Sequence, residues 1–362
     1  MFGDIDMSKF NTANIENRSG SAPTFSQGLN VEGTDITSLV TMTEYYTGAS
    51  EPSSPANGAV WYDGTDTQQY VNDGWYKLTL APEPAIFGDR GVFMGSSVNM
   101  DYITISSPGN ATAFGDLSAA FFYSGATTNG SRGVMGGGVV SSSENTLEYW
   151  TFATPSNSTD FGDLTLARNY PAAMTNGPRG VWAGGFTGAY QNILDYITID
   201  TAGNATDFGD LTTGKESAGA ASNGTLGLIF GGGSSSGSLA SIDKITIATT
   251  ANATDFGGVL LSATKSITGA GNATRSLAAG GSGNTNVIQY VTPSSPGNAI
   301  DFGDLTIGGG YVGGAANDTR AVFGGGGNAN ILNYVTIATT GNATDFGDLT
   351  ESKSSRFAAS GD

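Results

Sequence analysis

The residues with the clearest chemical potential are aspartates in a recurring five-residue phrase. The phrase is Asp-Phe-Gly-Asp-Leu, altered in some copies, and it occurs at Ala113–Leu117, Asp160–Leu164, Asp207–Leu211, Asp255–Val259, Asp301–Leu305 and Asp345–Leu349. Its two carboxylates supply hard oxygens of the kind that Ca²⁺ prefers. A calcium site needs more ligands than two, so we expect no cofactor, with calcium as the alternative. On this structural interpretation Phe packs, Gly relieves crowding, and Asp side chains cap turns by accepting backbone N–H groups.

Other catalytic chemistry has little support among the residue types. The chain has no His and no Cys, which excludes Ser-His-Asp catalysis, thiolate nucleophiles, disulfides and the usual zinc sites. Asp-Phe-Gly also occurs in protein kinases, but no Gly-rich phosphate loop or His-Arg-Asp accompanies it here. Glu144 and Glu148, near Trp150, are the best carboxylate pair for cleaving a glycosidic bond. We expect both to be solvated and the chain not to be an enzyme.

A second repeated motif has the form of an N-glycosylation site. Asn-Ala-Thr or Asn-Ser-Thr occurs at Asn110, Asn157, Asn204, Asn252, Asn272 and Asn342. Most copies precede the Asp-Phe-Gly phrase by the same short interval. We therefore predict a β-turn in which Asn adopts a left-handed backbone and Thr begins the next strand.

Composition narrows the range of partners. The 362 residues include 56 Gly and carry a formal net charge of −18. An acidic surface repels phosphate backbones and anionic lipids, so we expect neither nucleic-acid binding nor membrane insertion. The N-terminal residues lack the cationic and apolar regions of a signal peptide. No apolar run reaches the length of a membrane span. We expect the chain to fold in the cytoplasm where it is made.

The spacing of the phrase indicates a repeat architecture. Its Phe residues lie 44 to 48 residues apart, at Phe114, Phe161, Phe208, Phe256, Phe302 and Phe346. In one copy, four short runs rich in β-formers are bounded by turn residues, at Arg168–Thr175, Arg179–Ala183, Ile193–Asp200 and Ala205–Thr212. Four strands in a repeat of this length are typical of a β-propeller blade.

The two ends of the repeat region predict how the ring closes. The first copy begins at Arg90 with its second strand, and Lys353–Asp362 resembles a first strand with nothing after it. Pairing the two removes an open sheet edge. We therefore predict an all-β fold with six blades. These are 90–117 with 353–362, then 118–164, 165–211, 212–259, 260–305 and 306–349.

The repeats resemble kelch repeats. The shared marks are a basic residue that opens the first strand (Arg168, Lys215, Lys265, Lys353), a double Gly after the second (Gly184-Gly185, Gly231-Gly232, Gly280-Gly281) and a Tyr in the third (Tyr149, Tyr196, Tyr290, Tyr334). The fourth strand has Phe where the family usually has Trp, a departure that weakens any transfer of partner. The resemblance implies that first strands line the axis and that the propeller binds proteins or glycans. The copper oxidases of the family need His and Cys, which are absent.

The first 89 residues lack this repeat and suggest attachment to a larger particle. We predict an extended arm with short strands over 1–50, a small β-hairpin module over 51–80 and a Pro-marked linker over 81–89. The pattern Pro52, Pro55, Gly58, Trp61 to Asp63 and Trp75 resembles modules of bacteriophage tail fibres and other phage structural proteins. The resemblance implies a virion protein, assembled in the host cytoplasm, that docks to other virion proteins through its arm. Such fibres are usually trimers.

Recognition is expected where the blades differ most, in the loops between second and third strands. These loops supply the candidate residues Glu144, Asn145, Phe186, Tyr190, Asn192, Ser235, Asn284 and Asn328. Phe186 and Tyr190 could stack on sugar rings. The sequence predicts a phage appendage protein whose propeller recognises a host-surface glycan or protein. A secreted or cell-surface kelch-type binding module is the first alternative, and a glycan-cleaving enzyme is the second.

Overall fold

The computed structural model describes residues 29–31, 34–36, 45–47, 59–62, 67–71, 74–77, 88–324, 329–353 and 357–361. The chain divides into two compact units, Met1–Glu83 and Pro84–Asp362. In the described residues the secondary structure is strand and turn, without helix. These residues therefore contain no helix that could cross a membrane. Most of the predicted arm and linker lies outside the described residues.

The N-terminal unit contains two small sheets. Strands β1 (Leu29–Val31) and β2 (Thr34–Ile36) pair antiparallel. Strands β4 (Val60–Tyr62), β5 (Thr67–Val71) and β6 (Gly74–Lys77) form an antiparallel meander within the predicted hairpin module. Strand β3 (Tyr45–Thr47) joins this sheet parallel to β4, so the sheet includes residues from before position 51.

The second unit is a six-bladed β-propeller, as the repeat predicts. Each blade is a four-stranded antiparallel sheet, and blade 4 carries an extra two-stranded ribbon, β20–β21, in its loop. The strands in chain order are β7 (Arg90–Met94), β8 (Asn99–Thr104), β9 (Thr112–Asp116), β10 (Gly125–Thr128), β11 (Arg132–Gly136), β12 (Thr146–Thr151), β13 (Thr159–Asp163), β14 (Ala172–Thr175), β15 (Arg179–Ala183), β16 (Ile193–Thr198), β17 (Thr206–Asp210), β18 (Gly219–Ser222), β19 (Leu226–Phe230), β20 (Gly233–Ser234), β21 (Gly237–Ser238), β22 (Ser241–Thr246), β23 (Thr254–Val259), β24 (Thr268–Gly271), β25 (Ser276–Ala279), β26 (Val287–Thr292), β27 (Ser295–Asp304), β28 (Gly313–Ala316), β29 (Arg320–Gly324), β30 (Ile331–Thr336), β31 (Thr344–Asp348) and β32 (Phe357–Gly361).

The last strand closes the ring as predicted. Strand β32 pairs antiparallel with β7, with Phe357 opposite Met94 and Gly361 opposite Arg90. Strand β32 therefore supplies the first strand of blade 1, and β7–β9 supply the other three. Strand β7 is therefore not an exposed sheet edge where the ring begins, because β32 covers it.

The apolar core lies between blades. In the described residues the buried apolar side chains form six clusters, each built from two neighbouring blades. Between blades 3 and 4, for example, Val181 and Phe208 lie in one cluster with Ile229 and Ile245. Phe208 is the extra residue of a β-bulge, and its ring packs edge-to-face on Tyr196 with 6.0 Å between centroids. A blade alone would leave these side chains in water, so stacking supplies the core.

We use the word seam for the contact between the fourth strand of one blade and the turn before the fourth strand of the next. At the seam between blades 2 and 3, the backbone N–H of Asp163 donates to the side-chain oxygen of Asn204 at 3.1 Å, and Ala205 N–H donates to the Asp163 carbonyl at 2.7 Å. Gly162 passes so close that an added Cβ would lie 2.5 Å from the Gly203 carbonyl oxygen. The glycine of the phrase therefore permits backbone-to-backbone contact between blades.

The seam corrects two predictions about polar residues. The Asn acceptor recurs in all six blades, at Asn110, Asn157, Asn204, Asn252, Asn298 and Asn342. None of the six Asn residues predicted to have a positive φ has one. Five of them accept a hydrogen bond from the neighbouring blade, and the sixth, Asn272, accepts the backbone N–H groups of Thr274 and Arg275 in its own turn. The second prediction was that the side chains of the phrase aspartates cap turns. Among the described residues, only Asp255 accepts a backbone N–H in its own turn. Asp163 and its equivalents instead contact the next blade through their backbone groups.

Arginines at the start of second strands also join neighbouring blades. Arg179 stacks over the ring of Tyr196, 4.2 Å from its centroid, and donates to the carbonyl of Ile247 in the next blade at 3.1 Å. Arg320 of blade 6 donates to the Ile105 carbonyl of blade 1 at 2.9 Å, which extends the series across the closure. The Tyr mark of the repeat is thus half of a cation–π pair.

The basic residue before the first strand forms a buried ion pair in three blades. Arg168 Nη1 lies 2.6 Å from Asp195 Oδ2, and both side chains are inaccessible to solvent. Lys215 with Asp243, and Lys353 with Asp101, occupy the same positions at 3.2 Å and 3.8 Å. Because the charge of each cation is compensated, it can be buried.

Lys265 does not occupy this position, contrary to the alignment of basic residues. Thr264 lies four residues before β24, as Arg168 lies four before β14, and Thr264 is buried. Lys265 is 40% exposed and pairs with Glu216 at 3.5 Å. A one-residue shift in a segment without a regular period explains the misplacement.

Candidate binding face at the axial mouth

The loops predicted to differ most share one end of the propeller with the segments that enter the first strands. In an antiparallel blade, the loop between second and third strands lies at the end where the first strand begins. Backbone bridges join the two segments, between Asn169 and Phe186 in blade 3 and between Phe122 and Val139 in blade 2. This end therefore gathers the variable residues around the axis.

A belt of hydrogen bonds surrounds the axis at this end. In blades 2 to 6 the residue two before the first strand has positive φ, at Tyr123, Tyr170, Ser217, Ser266 and Tyr311. The N–H of the last four donates to the carbonyl of the residue before it in this series: Tyr170 to Tyr123 at 2.7 Å, Ser217 to Tyr170 at 3.1 Å, Ser266 to Ser217 at 2.7 Å, and Tyr311 to Ser266 at 3.0 Å. The left-handed conformation costs energy in a non-glycine residue, and the belt offsets that cost. The predicted strand from Arg168 consequently begins only at Ala172.

We call these five belt residues the axial mouth. Their backbones are alike but their side chains are not, because tyrosines occupy one side and serines the other. The rings of Tyr123 and Tyr170 lie 4.1 Å apart between centroids, and Tyr311 lies 5.3 Å from Tyr123 and 5.9 Å from Tyr170. The three rings form a cluster that Ser217 and Ser266 do not extend.

The Tyr170 phenol remains protonated to unusually alkaline pH. Desolvation by burial is the main cause that raises its pKa well above the usual range, and the phenols of Tyr311 and Tyr123 add to the effect. A protonated phenol donates as well as accepts a hydrogen bond. The cluster therefore offers apolar ring surface and hydroxyl groups together.

Behind the mouth lies a cavity of about 110 Å³. Its inner wall consists of small residues of the first strands, including Ala126, Ala173, Ala220, Gly269 and Gly314. The described residues that line it carry no charge. By a measure in which one water occupies roughly 10–15 Å³, the space holds one small molecule.

An aromatic pair stands in the loop of blade 3. Phe186 and Tyr190, both predicted as recognition residues, pack edge-to-face with 5.3 Å between ring centroids. The side-chain amide of Gln191 donates to the Thr187 hydroxyl at 2.8 Å and to the Ala189 carbonyl at 3.0 Å. Both rings are partly exposed. The loop thus presents ordered ring surface to solvent.

The other predicted residues have different placements. The backbone carbonyls of Asn145 and Asn192 accept the N–H of Leu164 and Leu211, at 2.7 Å in each case. Asn192 is exposed and Asn145 is partly buried. Ser235 and Asn284 are exposed in the loops of blades 4 and 5, and Asn284 has a positive φ of 57°. Asn328 lies outside the described residues.

The carboxylates of blade 2 are separated by burial, which corrects the expectation that both are solvated. Glu148 is 2% exposed and accepts hydrogen bonds from the Ser158 hydroxyl at 2.5 Å and from the Ser118 N–H at 3.1 Å. It occupies the position that Asp195 has in blade 3. Glu144 is partly buried, and its backbone carbonyl accepts the N–H of Arg168 at 3.0 Å. Trp150 is buried.

The described residues offer no ready site for a metal ion. They contain no group of three or more acidic, His or Cys side chains placed to hold a metal ion. The calcium alternative stays a prediction about the phrase aspartates.

No family model matches the chain, and no curated protein matches it. The kelch and phage-fibre resemblances therefore rest on the motifs themselves.

The tyrosine cluster was absent from the predicted site. Its signal was present in the repeat alignment, since Tyr123, Tyr170 and Tyr311 precede their first strands at one position where other blades have Ser. Sequence reasoning assigned this segment to a strand and looked for variation only in the loops.

Proposed function

We propose that this chain is a non-catalytic recognition protein of a tailed bacteriophage particle, and that its propeller binds a host-surface glycan. The face around the axial mouth is the binding surface. The N-terminal region attaches the chain to other virion proteins, and the chain is a trimer on the particle.

One observation supports glycan binding above the alternatives. The face combines partly exposed rings, at Phe186 and Tyr190 and at the tyrosine cluster, with hydroxyl groups and an uncharged cavity. Sugar rings present C–H faces that pack on aromatic rings and hydroxyls that exchange hydrogen bonds with Tyr and Ser. A glycosidase would need carboxylates that can reach the substrate. The buried carboxylates at one equivalent position of three blades, Asp195, Asp243 and Glu148, are instead hydrogen-bonded to side chains of their own blade or its neighbour.

Attachment to a virion is supported by the sequence pattern of residues 51–78. Its Pro, Gly and Trp skeleton resembles phage fibre modules. The alternative of a secreted or cell-surface binding module shares the propeller and differs in the role of the first 83 residues.

Binding is tested with the full chain on immobilised polysaccharide from the host cell surface. We expect saturable binding that falls at least tenfold in the variant Phe186→Ala/Tyr190→Ala. A control, Ile300→Ala, removes an exposed apolar side chain from the fourth strand of blade 5, outside the proposed binding face. Absence of binding to host polysaccharide would contradict the glycan proposal. Steady release of reducing sugar would show an enzyme instead.

Attachment is tested on purified particles. Mass spectrometry and immunogold labelling should find the chain on the virion, and deletion of residues 1–50 should remove it. A protein that stays on the particle after this deletion docks by another segment. A protein found only in culture supernatant is the secreted alternative.

A further inference from the structure

The axial cavity is distinct from the loop pair Phe186 and Tyr190, and its residues show what could fill it. We propose that this cavity is a separate site for one uncharged sugar residue, bound between the tyrosine cluster and the serine side of the axial mouth. This inference rests on the proposed function and adds the part of the glycan that enters the axis.

An orphan hydroxyl is the first observation. Ser217 lines the cavity and is 7% exposed, and no described group lies within hydrogen-bond distance of its Oγ. A buried polar group without a partner is costly, and such groups in native proteins call for an explanation. Rotation about χ1 would turn the Oγ toward the cavity that Ser217 lines, where a hydroxyl of a ligand would supply the missing hydrogen bond.

The opposite wall provides the apolar surface. Tyr123 and Tyr170 are tilted only 31° from each other and lie 4.1 Å apart, and both line the cavity. Each ring is partly exposed, so its surface is not consumed by the cluster. A pyranose has an apolar C–H face on one side and hydroxyls around its edge. The two walls therefore match the two parts of such a ring.

The wall chemistry also sets the charge of the ligand. The described lining residues are Tyr, Ser, Thr, Pro, Gly, Ala, Ile and Val, without a cation to pair with a carboxylate. The formal net charge of −18 adds a repulsive field for anions. A neutral hexose or N-acetylhexosamine fits this environment, whereas a uronic acid would lose the hydration of its carboxylate without compensation.

The small residues of the first strands keep the space open. Ala173 and Ala220 line it where larger side chains would fill it, and a Cβ added at Gly269 would lie 2.1 Å from the Ala220 carbonyl oxygen. Close packing of first strands thus demands small residues. The tyrosines of the axial mouth precede the first strands, outside this close packing, so their larger side chains can be accommodated.

The experiment uses the full chain and free sugars. Glucose, galactose, N-acetylglucosamine and rhamnose are titrated singly by saturation-transfer NMR, with glucuronate as the charged probe. At least one neutral sugar should bind with a Kd on the order of 1–10 mM, as expected for about twelve non-hydrogen atoms. Glucuronate should bind at least tenfold more weakly.

Variants then locate the site. Tyr170→Ala and Ser217→Ala should each weaken binding of the free sugar at least fivefold, and Ala220→Leu, which fills the cavity, should abolish it. Ile300→Ala, which removes an exposed apolar side chain from the fourth strand of blade 5, is the control and should leave free-sugar binding unchanged. Circular dichroism confirms that each variant is folded.

The outcomes separate this inference from the proposed function. Polysaccharide binding without free-sugar binding, or free-sugar binding that survives Ala220→Leu, overturns the axial site and leaves the loop proposal standing. Free-sugar binding at the axis without polysaccharide binding overturns the proposed recognition of host glycan and supports a small-molecule site. Equal binding of glucose and glucuronate contradicts the argument from charge.

Discussion

The seams and the axial mouth encircle the same axis, yet the sequence treats them in opposite ways. At the seams all six blades use the same solution, an Asn side chain that accepts a backbone N–H of the preceding blade. At the axial mouth the backbone belt is equally regular, but the side chains change from Tyr to Ser. Residues repeat where one copy must fit the next. They vary at the axial mouth, where backbone hydrogen bonds alone join one blade to the next.

This difference predicts where substitutions will damage the fold and where they will damage binding. Seam and ion-pair variants should lower the free energy of unfolding, and mouth variants should change binding. The experiments below follow from the largest expected effect to the smallest.

Removing the anion of a buried ion pair should have the largest effect. In Asp195→Ala the Arg168 guanidinium is left inaccessible to solvent without its counter-charge, and Thr165 loses its hydroxyl partner. We expect a loss of about 3–5 kcal/mol in the free energy of unfolding, measured by urea denaturation. Asp160→Ala, which removes an exposed Asp from the repeated phrase, is the control and should change it by less than about 0.5 kcal/mol. Equal losses in both variants would contradict the assignment.

A methyl group at the seam should be nearly as damaging. In Gly162→Ala the new Cβ would lie 2.5 Å from the Gly203 carbonyl oxygen at a φ of +141°. We expect a loss of about 2–3 kcal/mol from strain and overlap. Gly203→Ala is the matched control across the same seam, because nothing lies within 4 Å of its added Cβ. If Gly162→Ala has the stability of wild type, the seam is not closely packed.

Loss of the Asn acceptor should be milder. Asn204→Ala leaves the Asp163 N–H without its 3.1 Å partner at an exposed position where water can replace it. We expect a loss of about 1 kcal/mol. Asn204→Asp keeps an acceptor oxygen at that position and should retain most of the stability. Identical losses in the two variants would show that the hydrogen bond is not the cause.

A mouth substitution should separate fold from binding. Tyr170→Ser gives blade 3 the residue that blade 4 has at Ser217, and the belt donates and accepts through backbone atoms that Ser retains. The free energy of unfolding should fall by about 1 kcal/mol from lost ring contacts. Free-sugar binding should weaken at least fivefold. A collapse of the fold would place the tyrosines among the structural residues.

The alkaline limb of the stability curve offers the smallest effect. The pKa of Tyr170 is raised in the folded chain above the unfolded value near 10. The contribution of this phenol to the free energy of unfolding is therefore complete below pH 10. It declines as the pH rises above 10, because the unfolded chain ionises first. Wild type should therefore lose at most about 1 kcal/mol more than Tyr170→Phe between pH 9 and pH 11. Absorbance at the tyrosinate band should show one phenol fewer titrating over this pH range in the folded wild type than in the unfolded chain. Parallel pH profiles of the two proteins would contradict the assigned direction.

Periodic features of the chain were predictable, and features between periods were not. Phe208 and the Gly pairs could be placed because each recurs with its strand, and the positive φ of Gly184 and Gly185 confirms the predicted turn. Lys265 was misplaced because the segment before the first strand has neither strand alternation nor fixed spacing to its neighbours. The acceptor role of Asn204 was missed because its partner, Asp163, belongs to another blade.

The sequence by itself determined the number of blades, their order and the closure by the last strand, because spacing and the two incomplete ends are properties of the chain. Only the tertiary structure decided which residues meet. Tyr123 and Tyr311 are 188 positions apart in the sequence but 5.3 Å apart between rings, since closure of the ring makes blades 2 and 6 neighbours of the same blade. Contacts across an axis depend on the angle between blades, and packing sets that angle.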